Sequence, residues 1–200
     1  GVNAFKNVVN ATKIIMNAAK WNTQAGLKIY KDPEGTGEMI ESGKNYNGLF
    51  EGCPNLTEVI VNADYVVEGS IVPDRCFANC PKLVKIQLAD GFEYIGEYAF
   101  YNNAITELIL PDTVKKLATH FVGECESLTN IVLSKIITSL SGEKGYVIEK
   151  LPVLETITLP YLIADMPNSF IGNCPMLKEY ILPEGYAFKM FSDKSYLEFI

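Results

Sequence analysis

The chain has 200 residues, which is the length of one compact domain or at most two small ones. Apolar residues make up 48% and charged residues 20%, a balance that excludes intrinsic disorder. The net charge of −7, from 17 basic and 24 acidic residues, disfavours contact with phosphate backbones, so we predict no nucleic-acid partner. No apolar run approaches the roughly 18 residues of a membrane span, and none is predicted.

The first 49 residues are the least regular part of the sequence. Residues 5–16 carry a Phe and apolar residues in the frame F-x2-V-x2-A-x2-I-x-M, which later segments repeat more clearly. Residues 31–48 are rich in glycine and polar residues and predict a loop. We interpret residues 1–49 as a degenerate first repeat followed by an insertion. The opening GVNAFKNVVN has no signal-peptide pattern, and a leader already removed is compatible with it.

A repeat dominates the rest of the chain. Four copies, at 50–61, 77–88, 121–133 and 170–182, share the frame F-x2-C-x2-L-x2-I-x-L, with one extra residue before the Cys in the last two and a Val or Tyr at some apolar positions. Two copies are degenerate, because 100–110 is one residue short and 151–159 lacks the Cys. Three apolar offsets therefore recur in six copies, which defines residues 50–182 as six regular repeats.

Each repeat ends in a predicted β-strand. The last two apolar residues of the frame are two apart, which is the alternation of a strand with one buried face. Proline follows several of these strands, as in Leu110-Pro111 and Leu182-Pro183, and ends the pairing there. A stretch too brief for more than about two helical turns then leads to the next Phe. Because no coil of this length buries its apolar edge alone, we predict a solenoid of stacked coils.

The run LADGFEYIGEYAF at 88–100 and the ending F-x2-C-x2-L-x2-I-x-LP resemble the BspA-like class of leucine-rich repeats. The resemblance implies an α/β solenoid: a right-handed coil with one parallel sheet on its concave face and short helical turns or strands on the convex side. It also implies kinship with secreted or surface-attached proteins of anaerobic bacteria and some protists, often described as adhesins. We therefore expect one leucine-rich-repeat domain over residues 1–200, located outside the cell or at the cell surface.

The strand residues that point away from the core are the candidate ligand-binding residues. The first row lies between the core pairs and comprises Ile60, Gln87, Ile109, Val132, Thr158 and Ile181. In the row before it, Glu58, Lys85 and Glu107 alternate in sign, so pairing between neighbouring strands would offset repulsion. Four of the first six are β-branched aliphatics on a surface expected to face water. That stripe is typical either of a binding site or of simple β-propensity, and the sequence leaves both open.

Two columns of side chains are assigned to the core. The apolar strand pairs run from Val59 and Val61 in the first regular copy to Tyr180 and Leu182 in the last. A second, aromatic column is expected from the Phe of each frame: Phe50, Phe77, Phe100, Phe121 and Phe170.

One repeat position holds a cysteine in four copies: Cys53, Cys80, Cys125 and Cys174. Asn103 fills that position in the short copy. We interpret these cysteines as buried, inert thiols, with a Cys53–Cys80 disulfide between adjacent coils as the alternative. Cys76 lies outside the frame and is predicted to be the most accessible thiol.

Little in the sequence supports catalysis. His120 is the only histidine, so a cluster of imidazole metal ligands is excluded. No EF-hand-like acidic run, glycine-rich phosphate loop or serine-elbow motif occurs. Spacing alone does not exclude a serine or cysteine with His120 as its base, but no surrounding motif supports it. We predict a protein that is not an enzyme and uses no cofactor or metal.

The predicted function is recognition of a protein or glycan by a rigid concave sheet, with the first row in contact and Glu58, Lys85 and Glu107 at its rim. The alternative is a structural spacer or a self-associating segment of a longer repeat array. Residues 183–200 carry five aromatic residues and are interpreted as a C-terminal cap, with a half-formed coil as the alternative. A capped chain is expected to be a monomer.

Overall fold

The computed structural model describes residues 5–16, 29–31, 38–40, 48–62, 69–140, 145–160, 169–182, 188–190 and 197–199. Within these ranges the chain forms strands and turns and no helix, in about five turns of a parallel β-solenoid. The predicted solenoid is confirmed, but the helical turns of the predicted α/β class do not form in this part of the chain. The segments between strands are a few residues long and are interrupted by left-handed residues, so no helical nucleus can be completed.

Each regular coil adds a strand to up to three sets of parallel strands, rather than to the one sheet that the sequence predicted. The front strands, which end the repeats, are β1 (Lys13–Met16), β4 (Glu58–Val61), β6 (Lys85–Gln87), β9 (Glu107–Ile109), β12 (Asn130–Val132), β15 (Thr156–Thr158) and β17 (Glu179–Ile181). The second strands are β5 (Ser70–Val72), β7 (Phe92–Ile95), β10 (Lys116–Leu117) and β13 (Ser139–Leu140). The third strands are β8 (Phe100–Tyr101), β11 (Val122–Gly123), β14 (Ile148–Glu149) and β16 (Ile171–Gly172).

Two antiparallel hairpins accompany the solenoid. One pairs β2 (Ile29–Lys31) with β3 (Glu38–Ile40), inside the segment predicted to be an insertion. The other pairs β18 (Phe188–Met190) with β19 (Leu197–Phe199), inside the predicted cap. The rest of residues 17–47 and 183–200 lies outside the described residues.

The strand register follows the repeat frame. Ile14 of β1 is opposite Val59 of β4, so the weak first copy at residues 5–16 joins the stack as a coil. Leu108 is opposite Ile131, which is opposite Ile157 in turn. A shift of one residue would turn each of these core side chains outward, so the apolar frame fixes the register.

The predicted strand core is confirmed except at Ile86, Leu88, Tyr180 and Leu182. Val59, Val61 and the core pairs of β9, β12 and β15 are buried, but Ile86, Leu88 and Leu182 are only partly buried. Tyr180 was assigned to the core and is instead 51% exposed. It lies on β17, which pairs with β15, and among the described residues no further front strand follows to cover its ring.

The predicted aromatic column is correct for part of its length. The rings of Phe5, Phe50, Phe77 and Phe100 stack with centroids 5.2, 5.6 and 6.0 Å apart. Phe121 and Phe170 are buried but do not continue this register, because Val122 and Ile171 occupy the strand position of Phe100. The extra residue between this Phe and the Cys displaces the ring by one position along the chain.

The shared cysteine position forms a hydrogen-bond ladder between coils. The Cys53, Cys80 and Cys125 thiols donate to the carbonyls of Phe5, Phe50 and Phe100 at 3.2, 3.3 and 3.2 Å. In the short copy the Asn103 amide donates to the carbonyl of Phe77 at 3.1 Å. The side chain at this position therefore satisfies a carbonyl of the preceding coil that would otherwise be buried without a partner.

We expect Asn103→Ala to lower the free energy of unfolding by about 1–3 kcal/mol, because it leaves the buried Phe77 carbonyl without its donor. Asn103→Cys keeps a donor of the kind used in the neighbouring coils and is expected to restore most of that loss. Urea unfolding of both variants measures the difference. Equal destabilisation by alanine and cysteine would contradict the ladder.

The cysteines are free thiols, and burial raises their pKa values, to about 12 for Cys80 and about 11 for Cys125. The prediction for Cys76 is wrong: its side chain has no exposed area and its pKa is raised well above the ordinary value by burial. Cys76 lies beside Phe77 in the turn before the third strands, so it faces the core and not solvent. The most accessible of these thiols belongs to Cys174, which is half-buried.

Thiol labelling checks this assignment. Because nucleophilic attack requires the thiolate, we expect iodoacetamide at neutral pH to modify Cys174 first and the other four cysteines only after unfolding. Peptide mapping by mass spectrometry locates the label. Modification of Cys76 in the native protein at the rate of Cys174 would contradict the burial described here.

Candidate functional site

The first row of predicted ligand-binding residues lies on the outer surface of the front strands, in two separate groups. Ile60 is opposite Gln87. The other group runs across four strands in register: Ile109, Val132, Thr158 and Ile181. Ile109 and Ile181 are 53% and 43% exposed, Gln87 is exposed, and the other three are half-buried. Aliphatic side chains of this row therefore reach solvent on β9, β12 and β17, and Thr158 stands between them on β15.

The charged row pairs only in part. The Glu58 carboxylate contacts the ammonium groups of Lys13 and Lys85 at 2.5 and 2.8 Å, and these bonds lower its pKa. Glu107 makes no such pair with Lys85. Its carboxylate instead accepts a hydrogen bond from the Asn130 amide at 2.8 Å, and no lysine or arginine of the described residues forms an ion pair with it.

The reason is that the front sheet is divided between β6 and β9. Strands β1, β4 and β6 form a three-stranded sheet, and β9, β12, β15 and β17 form a four-stranded one. At the next junctions the Leu110 and Leu133 amides donate to carbonyls of the following strand, at 2.9 and 3.1 Å. The equivalent bond, from Leu88 to the Ile109 carbonyl, is missing from residues 69–140 of the structure.

The division falls at the short copy. Asn103 forms a parallel β-bridge with Cys80, so at this corner the short coil is still stacked in register on the preceding one. One residue fewer separates this corner from the core residue Leu108 than separates Cys80 from Ile86. The backbone therefore reaches β9 out of register with β6, and the Ala104 amide bonds to the Leu83 carbonyl at 3.1 Å. Because this copy is one residue shorter, β6 and β9 do not pair, and the front sheet has an open seam between them.

A groove of about 760 Å³ follows this seam. Its walls come from both edges and include four predicted site residues: Lys85, Gln87, Glu107 and Ile109. Its volume lies within the roughly 300–1,000 Å³ that is typical of ligand sites. The sequence thus predicted residues of the groove but not the groove, since it treated the front strands as one continuous sheet.

A second candidate surface, which the sequence analysis missed, follows the third strands. Arg75 binds the Glu51 carboxylate through Nε at 2.9 Å and lies over the ring of Tyr98, which stacks on His120 at 5.1 Å. His120 Nδ1 lies 2.9 Å from Glu149 Oε1. These contacts join side chains of successive coils into one continuous polar and aromatic row.

Beside this row, a pocket of about 700 Å³ contains Glu124, Lys150 and Cys174. Lys150 contacts the Glu124 carboxylate at 3.0 Å and the Tyr101 hydroxyl at 3.5 Å. Burial and the bond with Glu124 raise the pKa of Tyr101 to about 12, while the bonds from Tyr101 and Lys150 lower that of Glu124. The phenol stays protonated and the carboxylate ionised at neutral pH, which favours holding polar groups over transferring protons.

The residues at this corner share a backbone conformation that the sequence did signal. The residue just before the Cys position is left-handed in coil after coil: Asn7, Gly52, Asn79, Asn102, Glu124, Lys150 and Asn173. Asparagine and glycine adopt this conformation at the lowest cost, and they fill five of these seven positions. Their repetition immediately before the Cys was the available clue to a tight corner.

The polar row predicts a pH dependence of stability. Burial alone would raise the pKa of Glu51, but the bonds from Arg75 and Lys6 outweigh it and hold that pKa below its ordinary value of 4.5. A depressed carboxyl pKa stabilises the fold above the ordinary value, and this contribution is lost as the pH falls through the folded-state pKa. We expect Glu51→Gln to destabilise the protein at neutral pH and to flatten its stability curve below about pH 4.5.

Urea unfolding between neutral and acidic pH tests this expectation. Glu155→Gln is the matched control, because Glu155 forms an exposed pair with Lys178 at 2.9 Å and its loss should change stability by less than about 1 kcal/mol. Parallel pH curves for Glu51→Gln and the wild type would contradict the role given to Glu51.

The geometry offers no catalytic centre in the described ranges. No group of three or more histidine, cysteine or acidic side chains there is placed to hold a metal ion. His120 contacts the Glu149 carboxylate and the Tyr98 ring. Gly145 packs closely against its imidazole, since a Cβ atom at Gly145 would lie only 2.5 Å from His120 Nε2. His120 therefore packs as a structural side chain between coils. In the same ranges no helix is long and apolar enough to cross a membrane.

Comparison with known proteins agrees with this architecture. The BspA type leucine rich repeat region matches residues 44–178 in six copies. Among solved structures, a leucine-rich-repeat protein of T. pallidum is similar with a TM-score of 0.57 at 17% identity, over 81% of this chain and 81% of its own. A leucine-rich-repeat protein of Bacteroides ovatus is similar with a TM-score of 0.50 at 21% identity, over 69% of this chain.

The present chain spans 34% of the length of the B. ovatus protein. No curated protein sequence matches it significantly. Because the repeat family covers more than half of the chain, the chain belongs to the BspA-type leucine-rich-repeat family. Repeats of this class are interaction modules, and nothing in the structure or the comparisons points to catalysis.

Proposed function

We propose that this protein is a non-enzymatic binding module that recognises a protein or a glycan through the outer surface of its front strands. The observation that carries the proposal is the outer row of Ile109, Val132, Thr158 and Ile181, which is aliphatic on three of four adjacent strands and lies next to a groove with two carboxylates. Exposing aliphatic side chains to water on neighbouring strands has a free-energy cost. An exposed apolar surface of this kind is typical of an interaction site. The contact residues would be the first row, with Glu58, Lys85 and Glu107 determining specificity.

The stack also supports this proposal energetically. Each front strand is fixed by backbone bonds to its neighbours and by core side chains beneath it, so the surface is ordered before a ligand arrives. Binding to an ordered surface loses little conformational entropy. By family resemblance, we place the surface on the concave side and the protein at a bacterial cell surface or outside the cell, in an adhesin-like role.

The test is an array of extracellular-matrix proteins and glycans, probed with the wild type and with a Val132→Lys/Thr158→Lys variant. Both substitutions fall on half-buried outer positions of adjacent strands, and two lysines there would disrupt an apolar contact. The matched control is Ile136→Lys/Ser139→Lys, which adds the same charge at exposed positions away from the front strands. The proposal predicts a ligand that is lost only in the first variant; retention in both would refute it.

A structural role as a spacer or self-associating segment is the second candidate. It is favoured by apolar exposure at the ends of the described stack, where Phe5, Val9 and Tyr180 are 52%, 56% and 51% exposed. Static light scattering separates the two functions. A mass that stays at one chain over a wide concentration range supports the monomeric binding module, and one that grows with concentration supports self-association.

A further inference from the structure

We propose that the groove between β6 and β9 binds an extended, cationic polypeptide segment, whose backbone bonds to a strand edge left open there. The proposal rests on the proposed function, since it takes the front strands as the recognition surface, and it adds the chemical class of the ligand and its mode of binding.

The open backbone groups call for a polypeptide. At the junctions after β9 and β12, amides donate to the next front strand, as Leu110 does to Val132. In the described part of the seam, the Leu88 amide has no such acceptor, and the Thr106 amide has no bond back to the preceding coil of the kind that Thr129 makes to the Thr106 carbonyl. Backbone donors and acceptors at strand spacing are complemented best by another extended backbone, which is the basis of strand addition.

The walls of the groove suit alternating side chains. Val84 and Ile109 are 51% and 53% exposed and line the groove from opposite edges. They offer apolar contact to the side chains of an extended segment that point into the groove, while the alternate side chains point to solvent. Pro111 closes one end of the β9 wall and has no amide to donate.

The charge of the groove selects for a cation. Lys85 lines the groove, but its ammonium group contacts the Glu58 carboxylate at 2.8 Å, which it shares with Lys13. Glu107 on the β9 wall accepts a hydrogen bond from a neutral amide, and Asp90, which follows β6, is exposed on the opposite wall. The groove therefore presents two carboxylates without a cation of its own bound to them among the described residues, and a lysine or arginine of the ligand would supply one.

The probe is a capped, fluorescent peptide of about eight residues in which lysine alternates with threonine, measured by fluorescence anisotropy. We expect saturable binding that weakens with salt. Two versions N-methylated at alternate residues, in opposite phases, remove the amides of one peptide edge each, and at least one should fail to bind. A version with glutamate in place of lysine should also fail. Equal binding of all versions would overturn the proposal.

Variants of the protein locate the site. An alanine inserted after Ala104 restores the spacing of the regular copies, so β6 and β9 can pair and the groove should close with loss of peptide binding. Glu107→Gln keeps the spacing and removes one charge, and we expect it to weaken binding about five- to tenfold. Circular dichroism and a melting curve check that the insertion variant folds. If it does not fold, the Glu107 variant and the methylated peptides still decide the matter.

The Val132→Lys/Thr158→Lys variant separates this proposal from the proposed function, because neither residue lines the groove. The proposal predicts that this variant still binds the peptide. An array ligand that is lost in this variant but retained by the insertion variant would overturn the groove as the site and leave the front surface as the recognition surface. Retention of that ligand by both variants would refute both.

Discussion

Phe77→Ala is expected to destabilise the protein by about 3–5 kcal/mol, the largest effect of any single truncation considered. The Phe77 ring is fully buried and stacks between Phe50 and Phe100, with centroids 5.6 and 6.0 Å away. Its removal opens a cavity that the rigid coils on either side cannot close, and it interrupts two aromatic contacts at once.

The end of the same column supplies the control. Phe5 stacks on Phe50 alone and is 52% exposed, so Phe5→Ala should cost about 1 kcal/mol or less. Denaturant unfolding of both variants gives the comparison. Similar losses for Phe77→Ala and Phe5→Ala would mean that the column does not stabilise the stack through its interior.

The second large effect is expected on β9, where two neighbouring residues face opposite ways. Leu108 is fully buried, so Leu108→Ala should lower the free energy of unfolding by about 2–5 kcal/mol. Ile109 is 53% exposed, so Ile109→Ala should change it by less than about 1 kcal/mol. The two substitutions remove side chains of the same size from adjacent positions.

This pair tests the strand register directly. A shift of one residue would exchange the two faces of the strand. Thermal and urea unfolding of Leu108→Ala and Ile109→Ala should therefore differ strongly. Equal losses would show that the assignment of inner and outer faces on β9 is wrong, and with it the outer row on which the proposed function depends.

The apolar frame was sufficient to predict the solenoid and its register. Ile14 pairs with Val59, and Leu108 with Ile131, because burial of every second side chain permits only one alignment of the strands. The Cys position was also interpreted correctly as buried, and Asn103 replaces a cysteine because both side chains donate a hydrogen bond to the preceding coil.

The sequence failed where the number of residues between fixed points decides the path of the chain. The missing residue of the short copy was noticed, but its consequence, an open seam between β6 and β9, depends on how the backbone closes in three dimensions. The extra residue between Phe121 and Cys125 also changed the path of the chain, since it placed Val122 opposite Phe100 and ended the stack of phenylalanine rings. The apolar pattern carries no record of either displacement.

The polar row along the third strands was missed for a different reason. Glu51, Arg75, Tyr98 and His120 follow one another at 24, 23 and 22 residues but share no residue type, and they are brought into contact by the stacking of left-handed corners. A search for repeated residue types does not find such a row. Even so, the glycine and asparagine residues before the Cys position did indicate where the corners lie.

We conclude that one coil of this repeat protein leaves its front sheet open, and we propose the opening as a site for a ligand. Amide hydrogen exchange resolved to single residues reports on the opening itself. We expect slow exchange at Leu110 and Leu133, whose amides bond to the next strand at 2.9 and 3.1 Å, and fast exchange at Leu88. Protection of Leu88 equal to that of Leu110 in the free protein would show that β6 and β9 are paired, and would contradict the claim.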